Sequence, residues 1–502
     1  MMYELKKWML MCAVAGAALS GVAEQKRSNI LFIFSDDHAS EAISAYGSWL
    51  KDYAKTPNID RLAKEGMLFR NLCCNNSICS PSRASVMTGQ YDHVNGVMKL
   101  GGAIKASSPW LSKELKKGGY QTWLVGKWHI KTKPQGFDDY RVVEGQGTYF
   151  DPKYDGPGGI KEEVKGYSSD KYTDKALDWL QDRDRTKPFC MMLQFKAPHH
   201  PYDPAPRHMK LLEDVAVPEP PTLYEDIDAS NSKLKRYMLE RTKFHMVLTP
   251  KSKGGKKPKP NESFGYYIRH VEDMEPHEKT NQRDCWRVAY QHMVKTYIRC
   301  ITAVDENVGR MIDYLEDEGL MEETIIIYTA DQGYWLGQHG FYDKRLILDE
   351  SLKMPFLIRY PRMIKAGTEN QDLCSNVDIA PTLLEMTDLP VPGKMQGRSM
   401  VPLLKGSSPP DWRDAIWYNY VDQPQHYGIR TKQFTLVHFH GSDEIEFYDN
   451  KRDPNQTRSV HDNPEYREII QSAEIQMKQV MADVGIKQSQ LDGFAKKKSG
   501  KK

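Results

Sequence analysis

Four short apolar runs, residues 29–35, 122–125, 189–195 and 325–329, each end in polar residues, and stretches of helical pattern separate them. Runs this short that are apolar throughout, rather than alternating, suit strands buried on both faces. They predict a mostly parallel sheet covered by helices, an α/β fold. Thr56 before Pro57 marks a helix start with Thr56 as its cap, and residues 288–315 carry apolar side chains at helical spacing. In sheets of this kind ligands bind beyond the carboxyl ends of the strands. The polar residues that close the four runs are therefore expected to gather at one site.

The chain has 502 residues, more than one core of roughly 250 to 300 residues can use, so two packed units are expected. From about Trp412 the pattern changes to short β-like runs at 415–420, 427–430, 434–440 and 444–448, then a helical stretch at 465–481. This predicts a smaller antiparallel sheet with a helix. Net charge is only +3, which argues against nucleic acid as a partner and leaves anion recognition to locally placed Lys, Arg and His.

Lys6 and Lys7, an apolar stretch over 8–22 and Gly21-Val22-Ala23 before Glu24 read as a signal peptide cleaved near Ala23. The run falls short of the roughly 20 residues that span a bilayer, so no stable membrane insertion is expected. Cys12 follows bulky Met11, where a lipoprotein signal needs a small residue. The resulting division is 1–23 signal peptide, 24–410 catalytic domain, 411–490 C-terminal α+β subdomain and 491–502 basic tail. The Lys-, Pro- and Gly-rich stretch 251–260 reads as a solvated loop. Removing Cys12 leaves Cys73, Cys74, Cys79, Cys190, Cys285, Cys300 and Cys374, and an odd count in an exported chain calls for one cysteine with another role.

Cys79 is the candidate. It opens Cys79-Ser80-Pro81-Ser82-Arg83, continued by Ala84-Ser85-Val86-Met87-Thr88-Gly89. Pro81 can open a helix, which puts Cys79 near the positive helix end where anions are favoured. Arg83, one turn on, adds a fixed cation.

This segment resembles the signature of the type I sulfatases: Cys or Ser, any residue, Pro, any residue, Arg, continuing to Thr-Gly. The resemblance runs through nearly all of the mature chain in order. It implies an alkaline-phosphatase-like fold, Ca2+ as cofactor, and oxidation of Cys79 to formylglycine by a formylglycine-generating or anaerobic sulfatase-maturing enzyme. Asp36 and Asp37 match the family's first metal carboxylates. Asp331-Gln332 completes an oxygen-rich set suited to a hard cation, with Cys79 as the remaining ligand position. Gln332 departs from the Asn or His common there. Lys127 and His129, in Gly126-Lys127-Trp128-His129, match residues that contact the formylglycine. His199, preferred over the adjacent His200, matches a substrate-facing histidine, and Lys344 matches the lysine that grips sulfate.

What the resemblance implies chemically is covalent catalysis. A hydroxyl of hydrated formylglycine, activated by Ca2+ and Arg83, attacks sulfur; His199 and Lys344 assist the leaving oxygen; His129 then deprotonates the second hydroxyl to expel sulfate. Among sulfatases, Asp331-Gln332-Gly333, Gly337-Gln338-His339-Gly340, Asp343-Lys344-Arg345, Gly145-Gln146-Gly147 and His426-Tyr427-Gly428-Ile429-Arg430 look most like the N-acetylglucosamine-6-sulfatase group. That implies a sulfated carbohydrate substrate, with Arg345, His426 and Gln146 reading the sugar, and a secreted or periplasmic enzyme, or a lysosomal one in a eukaryote. The alternatives are a sulfatase acting on another sulfated polysaccharide, a phosphomonoesterase or phosphodiesterase of the same fold, and a non-catalytic sulfoglycan binder. The Cys-containing motif and the few additional histidines favour the sulfatase over a two-metal phosphoesterase. Cys79, Arg83, Lys127, His129 and Lys344 together argue against a mere binder.

Overall fold

The computed structural model describes residues 27–242 and 282–496. The expected signal peptide, the 251–260 stretch and the end of the basic tail lie outside the described residues. The four apolar runs form strands Asn29–Asp36, Gln121–Lys127, Phe189–Pro198 and Thr324–Ala330. They sit together in a ten-stranded sheet, with Asn29–Asp36 between Phe189–Pro198 and Thr324–Ala330, parallel to both. Gln121–Lys127 pairs in parallel with the far side of Phe189–Pro198. All eight residues of Asn29–Asp36 are buried, as the unbroken apolar pattern requires.

Because side chains alternate along a strand, this central strand serves two cores. Ile30, Phe32 and Phe34 pack with Val86, Leu111 and Leu383 on one face. Leu31 and Ile33 pack on the other with Tyr172, Met293 and Ile301. Helices Cys79–Thr88, Leu111–Lys117 and Ile379–Met386 thus cover the first face, and Ser168–Asp182 and Gln282–Asp317 the second.

The Pro57–Glu65 helix starts where expected, but Thr56 does not cap it. Its hydroxyl donates to Asp60 Oδ1 at 2.9 Å and accepts from the Ser44 amide at 3.0 Å, tying the preceding turn to the helix side chains.

Strands Ala415–Tyr420, His426–Thr431, Phe434–Phe439 and Ile445–Asp449 form a four-stranded antiparallel sheet. Trp417, Ile429, Leu436 and Phe447 pack against Ile470, Ala473 and Met477 of the Arg467–Val484 helix. Within the expected tail, residues up to Lys496 belong to the helix Gln488–Lys496. Strand Ala415–Tyr420 is fastened to the large unit by polar contacts: the Asn419 amide donates to the Asn75 carbonyl at 3.0 Å, and the Tyr418 hydroxyl to the Arg345 carbonyl at 2.6 Å.

Candidate active site

The register Ser35↔Ala330 brings two adjacent parallel strands to an end at the same level. Asp36-Asp37 and Asp331-Gln332 therefore leave the sheet side by side, all fully buried. The Asp37 amide donates to Asp331 Oδ1 at 3.1 Å. Asp37 has a left-handed backbone, φ 63°, a strained conformation that recurs at functional sites.

Cys79 arrives from one covering layer. Helix Cys79–Thr88 begins at Cys79 itself, two residues ahead of Pro81. Pro81 falls among the first four residues, whose N–H groups have no partner within a helix, so its missing donor costs no helical bond. Cys79 Sγ lies 3.1 Å from His129 Nδ1, and the Ser80 hydroxyl donates to the His129 carbonyl at 2.6 Å. Burial raises the Cys79 thiol above its usual range, against the pull of Lys127 and Lys344. Burial, reinforced by Lys127, pushes His129 down to about 3.

Arg83 is 1% exposed, and its Nε and Nη1 are hydrogen-bonded while Nη2 is not. It donates to Asp331 Oδ2 at 3.0 Å, to the Lys127 carbonyl at 2.7 Å and to Gln194 Oε1 at 3.0 Å, with Nη2 3.6 Å from Asp36 Oδ1. Its guanidinium lies 4.7 Å from the centre of the Phe34 ring. Lys127 Nζ donates to Asp36 and to Gln146 Oε1. Lys344 Nζ and Gln332 Nε2 both donate to Asp37 Oδ1. Buried charges of both signs interleave, as they must to remain ionised.

The carboxylates differ accordingly. Burial alone would raise Asp36, but Lys127, His199 and Arg83 outweigh it and hold the group well below the usual range. Burial raises Asp37 despite Lys344, and burial with the Asp36 charge raises Asp331. Lys344 is raised above its usual value because Asp37 overcomes desolvation.

The donor set fits a hard divalent cation. Asp36 Oδ1, Asp37 Oδ2 and Gln332 Oε1 are buried and have no hydrogen-bond partner, and Asp36, Cys79 and Asp331 each offer a ligand atom within 4.8 Å of the others. Carboxylate and amide oxygens are what calcium takes. Asp37, His199 and His200 form a second such group. There, however, His199 Nδ1 donates to the His200 carbonyl at 2.7 Å, so only Nε2, 3.7 Å from Asp37 Oδ2, faces the cluster.

Of the expected sugar contacts, Gln146 reaches the cluster through Lys127. Arg345 stands beside Lys344, donating to Asp343 Oδ2 at 2.9 Å and to the Tyr420 hydroxyl at 3.0 Å. Asp343 and Arg345 have φ of 81° and 110°, so Lys344 is presented from a strained turn. His426 is a correction. It is fully buried; Nε2 accepts from the Ile347 amide at 3.2 Å, Nδ1 bonds the Pro424 carbonyl, and the ring stacks on Tyr418. Both nitrogens are taken by backbone, at Ile347 and Pro424, which leaves neither for a sugar.

Gln194 and Lys196 were not singled out from the sequence. Both lie on Phe189–Pro198 and are buried, Gln194 bracing Arg83 and Lys196 held down to about 8 by burial and Lys127. Two polar residues at i and i+2 in an otherwise apolar strand were the available signal. Gly126, φ 105°, sits where a Cβ would fall 1.9 Å from the Gln194 carbonyl oxygen, so only glycine brings Lys127 this close to that strand.

Residues 28–389 match the family model Sulfatase, and residues 337–483 the model N-sulphoglucosamine sulphohydrolase, C-terminal. The chain is 37% identical over 505 residues to an N-acetylglucosamine-6-O-sulfatase of Bacteroides thetaiotaomicron, covering 93% of this chain and 89% of that protein. The N-acetylglucosamine-6-sulfatase of Homo sapiens is 26% identical, with 82% and 71% covered. A solved structure in complex with its substrate D-glucosamine-2-N,6-O-disulfate superposes with a TM-score of 0.82 at 36% identity, over 92% of this chain and 98% of that one.

Proposed function

The chain belongs to the sulfatase family and is a sulfuric ester hydrolase, and on that footing we propose that it removes the 6-O-sulfate of N-acetylglucosamine residues in a sulfated glycan. The sugar is taken from the relatives, whose names specify glucosamine sulfates. The observation that carries the chemistry is Cys79 at a buried helix N-terminus, 3.1 Å from His129 Nδ1 and surrounded by Arg83, Lys127 and Lys344. A thiol raised by burial is a poor nucleophile, which supports its conversion by a maturing enzyme before use.

Formylglycine at position 79 would supply a hydrated aldehyde as nucleophile, and Asp36, Asp37, Asp331 and Gln332 would hold the Ca2+ that supplies positive charge beside it. The remaining work falls to side chains. Arg83 fixes Asp36 and Asp331 and places a cation under residue 79. Lys127 and Lys344 bring positive charge to the sulfate oxygens, where preorganised charge lowers the barrier. His129, neutral and within reach of residue 79, accepts the proton that must leave there. His199 gives its Nδ1–H to the His200 carbonyl and is held well below its usual range by burial, so its Nε2 is bare and can only accept; the charged Lys344 is the group left to assist the departing sugar oxygen.

Among the described residues no helix is long and apolar enough to cross a membrane; the expected export rests on the leader sequence. Sulfate release from a panel of 2-, 3-, 4- and 6-sulfated glucosamines and galactoses tests the reading. Preferential release from the N-acetylglucosamine 6-sulfate supports it, and preferential release from any other isomer overturns it.

A further inference from the structure

Beside the catalytic cluster lies a cleft of about 400 Å³, within the size range of small-molecule sites. His129, whose Nδ1 is 3.1 Å from Cys79 Sγ, lines it. Gly145 also lines it, next in sequence to Gln146, whose side chain accepts from Lys127. The cleft therefore adjoins His129, the residue packed against Cys79.

Its floor is apolar, made by Trp128, Ile130, Pro134, Tyr140 and Val142, suited to the C–H face of a sugar ring. Its rim is charged. Lys131, Lys133 and Lys161 stand against Glu144 and Asp155, three cations to two anions. Lys161 is committed to Asp155. Lys131 and Lys133 are exposed and have no carboxylate partner among the described residues. The reaction described above accounts for His129 but gives no role to this floor or to these two lysines.

We propose that the cleft is a subsite for an anionic sugar adjoining the reacting one, with Lys131 and Lys133 receiving its carboxylate or sulfate. The inference rests on the 6-sulfatase reading and deepens it: the preferred substrate is an extended anionic glycan rather than a free monosaccharide. The two cations steer and hold a second negative charge while the apolar floor carries the ring. The contribution of the lysines, being exposed, must weaken as ionic strength rises.

The test compares three substrates of the matured enzyme: free N-acetylglucosamine 6-sulfate, the same sugar linked to a uronic acid, and the same sugar linked to a neutral galactose. The expected kcat/KM for the uronic-acid disaccharide exceeds that of the other two by about tenfold, and added salt reduces the gain. The K131A/K133A double variant should abolish this preference and leave turnover of the free sugar unchanged. Equal kcat/KM for the two disaccharides in the wild type, or a preference that survives in the double variant, overturns the proposal.

Binding of the uronic-acid disaccharide to Cys79→Ala protein needs no turnover. K131A/K133A in that background should weaken it about tenfold, and unchanged affinity counts against the subsite. A wild type that releases no sulfate from any of the three, while the lysine-dependent binding persists, contradicts the 6-sulfatase reading and supports the subsite.

Discussion

Cys79 Sγ and His129 Nδ1 are 3.1 Å apart, although they arise from different layers, a covering helix and the loop after a central strand. His129 reaches that point with a backbone φ of 55°, and the Ser80 hydroxyl pins its carbonyl. Residues 79 and 129 are therefore held together by the same turn. Cys79→Ala should remove sulfatase activity while leaving the melting temperature nearly unchanged, because the side chain contacts polar site groups more than the core. Thermal melting with sulfate-release assays checks this; near wild-type turnover by the alanine variant contradicts the assigned role.

Calcium should stabilise the folded protein. A ligand that binds only the native state adds about 2.7 kcal/mol when its free concentration is a hundredfold above Kd. Chelation should lower both melting temperature and rate, and Asp36→Ala or Asp331→Ala should remove the dependence on added calcium. If melting and turnover are unaffected by chelation, the oxygen cluster does not hold a required metal.

His426→Ala should act on stability. It leaves the buried Ile347 amide without its acceptor, at a cost of about 1–3 kcal/mol. Chemical denaturation measures that loss. Activity on an aryl sulfate and on a sulfated sugar should fall together, since the 345–347 segment adjoins Lys344; a loss confined to the sugar would return His426 to substrate recognition.

How far this site is legible in sequence depends on the kind of signal. Cys79, Arg83, Lys127 and Lys344 stand in contiguous motifs, and Asp36 and Asp331 close apolar runs, so strand order alone brings the two aspartates together. His426 lies equally in a motif-like segment, yet its fate depends on which backbone groups face it across the domain boundary, which no local pattern reveals. Gln194 and Lys196 were overlooked because a buried strand reads as apolar on average, while two polar residues inside it carry the information. The Thr56 cap failed for a related reason: Asp60 and Ser44 compete for its hydroxyl.

His339 provides a pH test away from the metal cluster. Its Nδ1 faces Glu225 at 2.5 Å and its Nε2 faces Glu350 at 3.3 Å, with Lys235 also close by and the ring fully buried. Desolvation and Lys235 oppose protonation, but the two glutamates prevail and raise the imidazole above its usual value. A raised histidine contributes stability fully below its unfolded value of about 6.5 and loses it as pH rises through the folded value. The stability difference between wild type and His339→Gln should therefore shrink on going from about pH 6 to about pH 9, measured by denaturant titration. A difference independent of pH contradicts a charged His339.

The most direct test pairs the modification with the reaction. Protein made with and without a sulfatase-maturing enzyme is assayed for sulfate release from N-acetylglucosamine 6-sulfate, and the peptide containing residue 79 is analysed by mass spectrometry. The prediction is formylglycine and turnover in the first preparation, with an unmodified cysteine and no turnover in the second. Equal turnover by both preparations, or fully converted protein that leaves the 6-sulfate intact, would contradict the account.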